Sequence, residues 1–347
     1  MLKKIYYSSD LRNRINNNKK IISALVKNHL VPQLRYEELS KSLGVYPDRR
    51  GTGGAFEVLL FDGPLICEGK NGYLFKGRRL IRGADDGLGR LRSISPTLFF
   101  REQSHVEFAL SLHTPFPQNY YHFIAQTLPK LIYAERALRD IRFPLIVSEE
   151  MAQTNFFKGT VELGFFSDHP IIVQRRDKNI RLDSVAIVKA SPTPYTHLGE
   201  TLERLGCTSE PSGNKKVYIH RSAASPNSRL IRNIEEVSKI LLKHEFELVD
   251  PMSFTLAGQI DLFRNTSEVI SPHGAGLTNI IYRNRRPLRV LEIFNHNLTA
   301  DCYQKICEEF DYDYHSMFSE NVVGKTTNGS SEINIEKLSK FLESGCT

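Results

Sequence analysis

The sequence predicts an α/β protein of two domains, and three observations carry that prediction. Short apolar runs alternate with longer amphipathic segments from Phe143 to Phe294. This is the rhythm of β-loop-α units that build a largely parallel sheet. A polar stretch from Cys207 to Lys216, containing Pro211, Ser212, Gly213 and Asn214, breaks the rhythm and reads as a linker. Glycine and proline punctuate the ends of the runs, where strands and helices must stop. The expected division is 1–210 for a first domain and 215–320 for a second. Residues 321–347 are expected to be a linker and helix that pack back on the first domain.

Composition bounds the function. A chain of 347 residues with 40% hydrophobic content has enough apolar surface for a sizeable core. Its formal net charge of +7 is scattered along the chain, which favours anionic partners: nucleotides, acidic sugars or an anionic membrane surface. Aromatic residues do not interleave with the basic ones in any compact stretch, so no nucleic-acid partner is expected. The cysteines stand at Cys67, Cys207, Cys302, Cys307 and Cys346, odd in number and without CxxC spacing. They read as free thiols of a reducing compartment, and no zinc site is expected. Met1 to Arg14 is too polar for a signal peptide, and no apolar run approaches the ~18 residues of a spanning helix. A cytoplasmic location follows as the expectation. The glycosylation-like triplets at Asn265, Asn297 and Asn328 then read as chance.

Along the chain, Lys19 to Leu30 and Tyr36 to Leu43 are expected as short helices. Gly51 to Gly54 is a flexible loop without the strand, lysine and helix of a phosphate loop. Phe56 to Phe61, Gly72 to Phe75 and Thr97 to Phe100 are expected strands. Arg78, Arg79, Arg82, Arg90 and Arg92 crowd their connections, as a solvated face or as an acceptor or lipid contact. Asn119 is placed to cap a helix that carries Tyr121, His122, Gln126 and Lys130. Pro129 is expected to kink or split that helix. His122 lies in the first turn, where the helix dipole favours the neutral ring. It is a candidate general base or a packed core histidine. Phe143 to Ser148, Ile171 to Gln174 and Ser184 to Val188 are expected strands. Met151 to Leu163 is an expected helix stopped by Gly164.

The second domain opens with the strand Lys216 to Arg221 and a polar loop starting at Ser222. A helix from Arg229 to His244, a strand Phe246 to Val249 and a helix Ser253 to Phe263 follow. The strand Glu268 to Ser271 runs into Pro272-His273-Gly274-Ala275-Gly276-Leu277-Thr278-Asn279. This reads as strand, tight loop and helix start, with Gly274 and Gly276 letting the backbone bend and another group approach. A helix opening there aims N–H groups and the positive dipole end into the loop, a site for an anion and above all phosphate. The plain alternative is a tight turn with a packed histidine. The strand Leu288 to Phe294 carries Glu292. Arg221, Ser222, His273 and Glu292 all fall near carboxyl ends of strands, where doubly wound sheets bind ligands.

Taken together, these motifs resemble glycosyltransferase family 61 (GT61). The resemblance rests on Arg221-Ser222, Arg229 with Asn233, Phe254 with Gln259, Ser271 to Asn279, and Leu291-Glu292-Ile293. Upstream, Asn119-Tyr120-Tyr121-His122-Phe123 and Leu128-Pro129 match the family's first-domain motif. The resemblance spans roughly residues 115 to 300. It implies a GT-B fold, with two Rossmann-like domains facing across a cleft. It also implies inverting transfer from a nucleotide sugar without a metal or other cofactor. The donor site expected from it comprises Arg221, Ser222, Arg229, Asn233, Gln259, His273, Gly274, Ala275, Gly276, Leu277, Thr278, Asn279 and Glu292. His122 is the expected base, and Asn119, Tyr121 and Gln126 the acceptor side. The acceptor is expected to be a glycan or lipid-linked glycan of a capsule or lipopolysaccharide, met at an anionic membrane. Two positions depart from the family: Gln126 stands where an acidic residue is common, and Ile234 where Glu is common. An amide cannot take a proton, so a non-catalytic nucleotide- or glycan-binding module is the alternative.

Overall fold

The computed structural model describes residues 33–35, 39–47, 55–82, 98–139, 142–190, 195, 197–208, 210, 212–220, 230–295, 300–324 and 329–344. The expected helix at Lys19 to Leu30, the Gly51 to Gly54 loop, Arg90, Arg92, Arg221, Ser222, Arg229, Asn297, Asn328 and Cys346 lie outside these residues.

The chain forms two compact units, and neither is continuous in sequence. One comprises residues 1–118, 130–153 and 166–194, the other 119–129, 154–165 and 195–347. The first unit holds a nine-stranded mixed sheet. Its strands are β1 (Gln33–Arg35), β2 (Ser40–Pro47), β3 (Ala55–Cys67), β4 (Leu74–Lys76), β5 (Arg79–Arg82), β6 (Gln103–Ser111), β7 (Leu145–Ser148), β8 (Ile171–Gln174) and β9 (Asn179–Ala190). Their order is β1-β5-β4-β3-β9-β6-β7-β8, with β2 beside β3. The long strand β3 pairs antiparallel with β9, and from β9 through β6 and β7 to β8 the pairing is parallel. Leu59, Phe61, Leu65, Val185 and Ile187 alternate along β3 and β9 into one core.

Three local expectations change here. Residues 40–47 are a strand rather than the end of a helix. Their backbone pairs with β3 from Ser40↔Phe61 to Pro47↔Ala55, and this long-range ladder overrides local propensity. Leu98–Phe100 is a 3₁₀ turn instead of a strand. Met151 to Leu163 is two helices, Glu149–Ala152 and Asn155–Glu162. Ser148 caps the first, and Thr154 caps the second by accepting from the Phe157 N–H. A second capping residue inside the periodic run restarts the helix. Gly164 closes it at φ +78°, as a C′ glycine does.

The second unit is a five-stranded parallel sheet. It contains β10 (Lys215–Ile219), β11 (Phe246–Val249), β12 (Thr266–Pro272), β13 (Arg289–Phe294) and β14 (Asp313–Phe318), in the order β11-β10-β12-β13-β14. Helices Ile234–Lys243, Leu256–Arg264 and Cys302–Phe310 and the 3₁₀ helix Ala275–Arg283 make the crossovers. The helix Cys302–Phe310 and the strand β14 were not among the sequence expectations. A small hairpin, β15 (Glu320–Val323) with β16 (Ser330–Glu332), precedes the last helix, Ile335–Glu343. That helix packs into the core of its own unit. Ile333, Leu338 and Leu342 join Tyr218, Val237, Leu241, Phe246, Ile270 and Leu291 in the core of the second unit. The α/β class expected of the sequence holds in both units.

Candidate functional site

In the second sheet the chain runs from β10 outward to β11 on one side, and then to β12 on the other. Strand order reverses between β10 and β12, and an open parallel sheet binds ligands beyond the carboxyl ends of its strands at such a point. The residues there are His220 after β10, Asp250 after β11 and His273 after β12.

The loop from His273 to Asn279 is built for close approach. Gly274 is extended at φ 165°, and the 3₁₀ helix begins directly at Ala275. A Cβ on Gly276 would sit 3.3 Å from Ile219 Cγ2 and 3.6 Å from Pro251 Cγ, so the helix start lies flush against the ends of β10 and β11. The first turn of this helix offers backbone N–H groups and the positive dipole end to the reversal point. A 3₁₀ helix replaces the expected α-helix, and its tighter winding points the same groups in the same direction.

Behind the loop stands a buried polar frame. His273 donates its backbone N–H to Ile293 O at 2.8 Å. Its Nδ1 lies 2.5 Å from Glu292 Oε1, and Tyr314 donates to Glu292 Oε2 at 2.7 Å. Glu292 is fully buried. Expected as part of the donor site, Glu292 here turns its carboxylate to His273 and Tyr314 within the core. Thr278 and Asn279 are fully buried as well. Asn279 Oδ1 accepts from Tyr120 at 2.8 Å, while its amide donates to Gly276 O at 3.0 Å. Thr278 faces the Tyr303 hydroxyl, and Tyr303 donates to Gly274 O at 2.8 Å. With Leu277, these side chains shape the loop from behind and leave its exposed side to His273, Ala275 and Gly276.

Two further expected donor residues take structural roles. Asn233 is a clasp for the C-terminal segment: it donates to Ile333 O at 2.9 Å and accepts from Ile333 N at 3.0 Å. The separation of 100 residues hides this from local reading. Gln259 Nε2 donates to Phe254 O at 3.4 Å, which steadies the chain entering its own helix.

The segment 119–129 belongs to this same unit rather than to the N-terminal one. Asn119 caps Tyr120–His122 by accepting from the His122 N–H, as expected. A π turn, Phe123–Thr127, follows, and the α-helix Leu128–Leu138 continues after it. Pro129 has no N–H for the carbonyl four residues back, and the widened turn absorbs that loss. Gln126 is 4% exposed, and its Oε1 lies 2.5 Å from His122 Nδ1. An amide oxygen only accepts, so Nδ1 carries the proton and Nε2 is the basic nitrogen of this tautomer. Gln126 therefore sets the state of His122 without itself taking a proton. Tyr121 hydrogen-bonds Tyr195 in the interior, and burial pushes both phenols well above their usual range. Its expected acceptor-side position becomes a packing role. Tyr120 also meets Tyr282 at 2.8 Å, and this tie with the one to Asn279 fastens the helix start to the loop.

The sequence reading did not single out Tyr120, Tyr303 or Tyr314 as contributors. Tyr120 lies inside the Asn119 to Phe123 motif. The helical spacing of Tyr303, Ile306, Cys307 and Phe310 was a usable signal for its helix, whereas nothing local marked Tyr314. Cys302 stands at the start of that helix, but burial and then the Glu292 carboxylate push its thiol up to about 12, so it stays protonated at neutral pH. Cys67, Cys207, Cys302 and Cys307 are free thiols, in line with the reading of unpaired cysteines.

Residues 120–290 match the family model described as Glycosyltransferase 61. No curated protein matches the chain. Among solved structures, E. coli heptosyltransferase WaaC with ADP-2-deoxy-2-fluoro heptose aligns at 10% identity and a TM-score of 0.35, over 70% of this chain and 100% of that one. The iron-containing dodecameric glycosyltransferase TibC from enterotoxigenic E. coli aligns at 11% identity and a TM-score of 0.33, over 86% of each chain.

Proposed function

Because residues 120–290 match the glycosyltransferase 61 family model, we propose that this chain moves a sugar from a nucleotide-sugar donor to a glycan acceptor with inversion. The observation that carries this reading is the glycine loop at the strand-order reversal, held from behind by Glu292, Tyr303 and Tyr120. The diphosphate is assigned to the backbone N–H groups of the half-buried Ala275 and Gly276, with His273 beside them. Arg221, two residues beyond the end of β10 in sequence, is the proposed cation, with Ser222 and Arg229 as further donors. A guanidinium fork suits phosphate oxygens and the charge that develops on them. No metal is assigned to the step.

The reaction is one in-line displacement. The acceptor oxygen forms its bond to the anomeric carbon as the bond from that carbon to the diphosphate oxygen breaks. The acceptor proton passes to Nε2 of His122, and the nucleoside diphosphate leaves with the electron pair. Gln126 holds the tautomer in which that nitrogen is basic. The net positive charge suits a lipid-linked capsule or lipopolysaccharide acceptor at an anionic membrane surface. No helix among the described residues is long and apolar enough to cross a membrane.

The test is thermal-shift binding against nucleoside diphosphates and nucleotide sugars, with and without chelator, followed by donor turnover. A ligand at a hundredfold excess over Kd adds about 2.7 kcal/mol to stability. The expected result is a clear shift with one nucleotide, unchanged by chelator, and turnover lost in His122→Ala. Binding without turnover in the parent chain selects the non-catalytic module, and a shift that needs metal overturns the metal-free step.

A further inference from the structure

The turn after β11 displays apolar surface where a folded chain ordinarily hides it. Met252 is 73% exposed and Phe254 40% exposed, and Met252 is the most exposed large hydrophobic side chain among the described residues. The turn beneath them is rigid. Asp250 Oδ1 accepts from Met252 N at 3.0 Å, Ser253 Oγ donates to Asp250 O at 2.7 Å, and Phe254 N donates to Pro251 O at 3.2 Å. Pro251, buried between Asp250 and Met252 in sequence, packs beside Gly276, its Cγ 3.6 Å from where a Cβ there would stand. The turn is therefore next to the loop assigned to the diphosphate, at the same end of the sheet.

Asp250 stands immediately past the second strand of this parallel sheet in chain order. In dinucleotide-binding sheets, an acidic residue beyond the second strand accepts from a ribose hydroxyl. A base offers a flat π-face to an aromatic ring or a thioether. Resting on the donor reading above, we infer that the turn Asp250–Phe254 binds the nucleoside half of the donor. Phe254 and Met252 cover the base, and Asp250 Oδ2 accepts from the ribose. This assigns two halves to one ligand: an anion cradle at Ala275–Gly276 and a nucleoside shelf at Asp250–Phe254. The base that fits the shelf selects the nucleotide.

The experiment is calorimetric titration of the full chain with ADP, GDP, CDP and UDP, and separately with inorganic pyrophosphate. The parent, the double variant Met252→Ala/Phe254→Ala and Asp250→Ser are compared. Both altered side chains are exposed, so the double variant leaves the core intact. Serine retains an acceptor for the Met252 N–H but is too short to reach a ribose. Expected is a loss of roughly tenfold or more in affinity for the preferred nucleoside diphosphate in the double variant, with pyrophosphate binding unchanged. In Asp250→Ser, the preference for that nucleotide over its 2′-deoxy counterpart shrinks. Nucleotide affinity unchanged in the double variant overturns the shelf and leaves the diphosphate cradle standing. Equal losses for nucleotide and pyrophosphate also overturn it, by showing that the turn only supports the loop. A parent chain that binds neither class of ligand removes the donor reading and this inference together.

Discussion

Glu292 shows how one residue's position decides its role. A carboxylate at a strand end looks available to a ligand in sequence, but this one is fully buried between His273 and Tyr314. Burying a carboxylate is tolerated only with such partners. Glu292→Ala strips the partner from two groups at once and is expected to cost about 3 kcal/mol, read as a lower urea midpoint. Nucleotide affinity is expected to fall with it, because His273 loses its orientation. Weakened nucleotide binding at unchanged stability would return Glu292 to the donor site. His122 and Gln126 teach the complementary lesson. Their four-residue spacing was legible as one helix face, and so was the capping role of Asn119. The protonation state of His122 was not, because it depends on which atom of the amide faces the ring.

Among elements, the strands β10 to β13 and the helices between them were legible because each announces itself over a few residues. Thr255 caps Leu256–Arg264 and Gly164 ends Asn155–Glu162, through backbone groups within four residues. Elements defined by distant partners were not. The strand Ser40–Pro47 exists because β3 pairs with it. The C-terminal segment is held by Asn233, whose amide spans 100 residues to Ile333. Asn233→Ala leaves both backbone groups of Ile333 without that partner and is expected to cost about 1–3 kcal/mol. Hydrogen exchange should then rise first in β16 and the helix Ile335–Glu343. A tenfold loss of nucleotide affinity with unchanged exchange would place Asn233 back in the donor site.

At the scale of the whole molecule, stability is linked to pH through the first unit. His113 follows β6 and hydrogen-bonds Gln174 Oε1 through Nε2 at 2.8 Å. Gly72 lies so close that a Cβ there would stand 2.3 Å from His113 Cβ. Burial lowers the ring from its ordinary 6.5 to about 4. The folded chain therefore holds His113 neutral while the unfolded chain takes up a proton. This contribution is complete above pH 6.5 and is lost as pH falls toward 4, up to about 3 kcal/mol. His113→Gln is expected to flatten the decline of Tm between pH 7 and 4.5, and an unchanged slope would remove His113 as its source.

The sequence by itself determined the α/β class, the loop from His273 to Asn279, the cap at Asn119 and the resemblance to a family. Each of these is written in short-range pattern: alternation, glycine at a close approach, a capping side chain, a run of motif residues. Tertiary structure alone decided that 119–129 joins the unit of the glycine loop, through Tyr120 on Asn279. It also decided that Asn233 pairs with Ile333 and Glu292 with His273 and Tyr314, and that Pro251 brings its turn beside Gly276. Such outcomes depend on which buried groups meet across a hundred residues or more. Desolvation makes each buried polar group find a partner, and only the folded chain specifies which one.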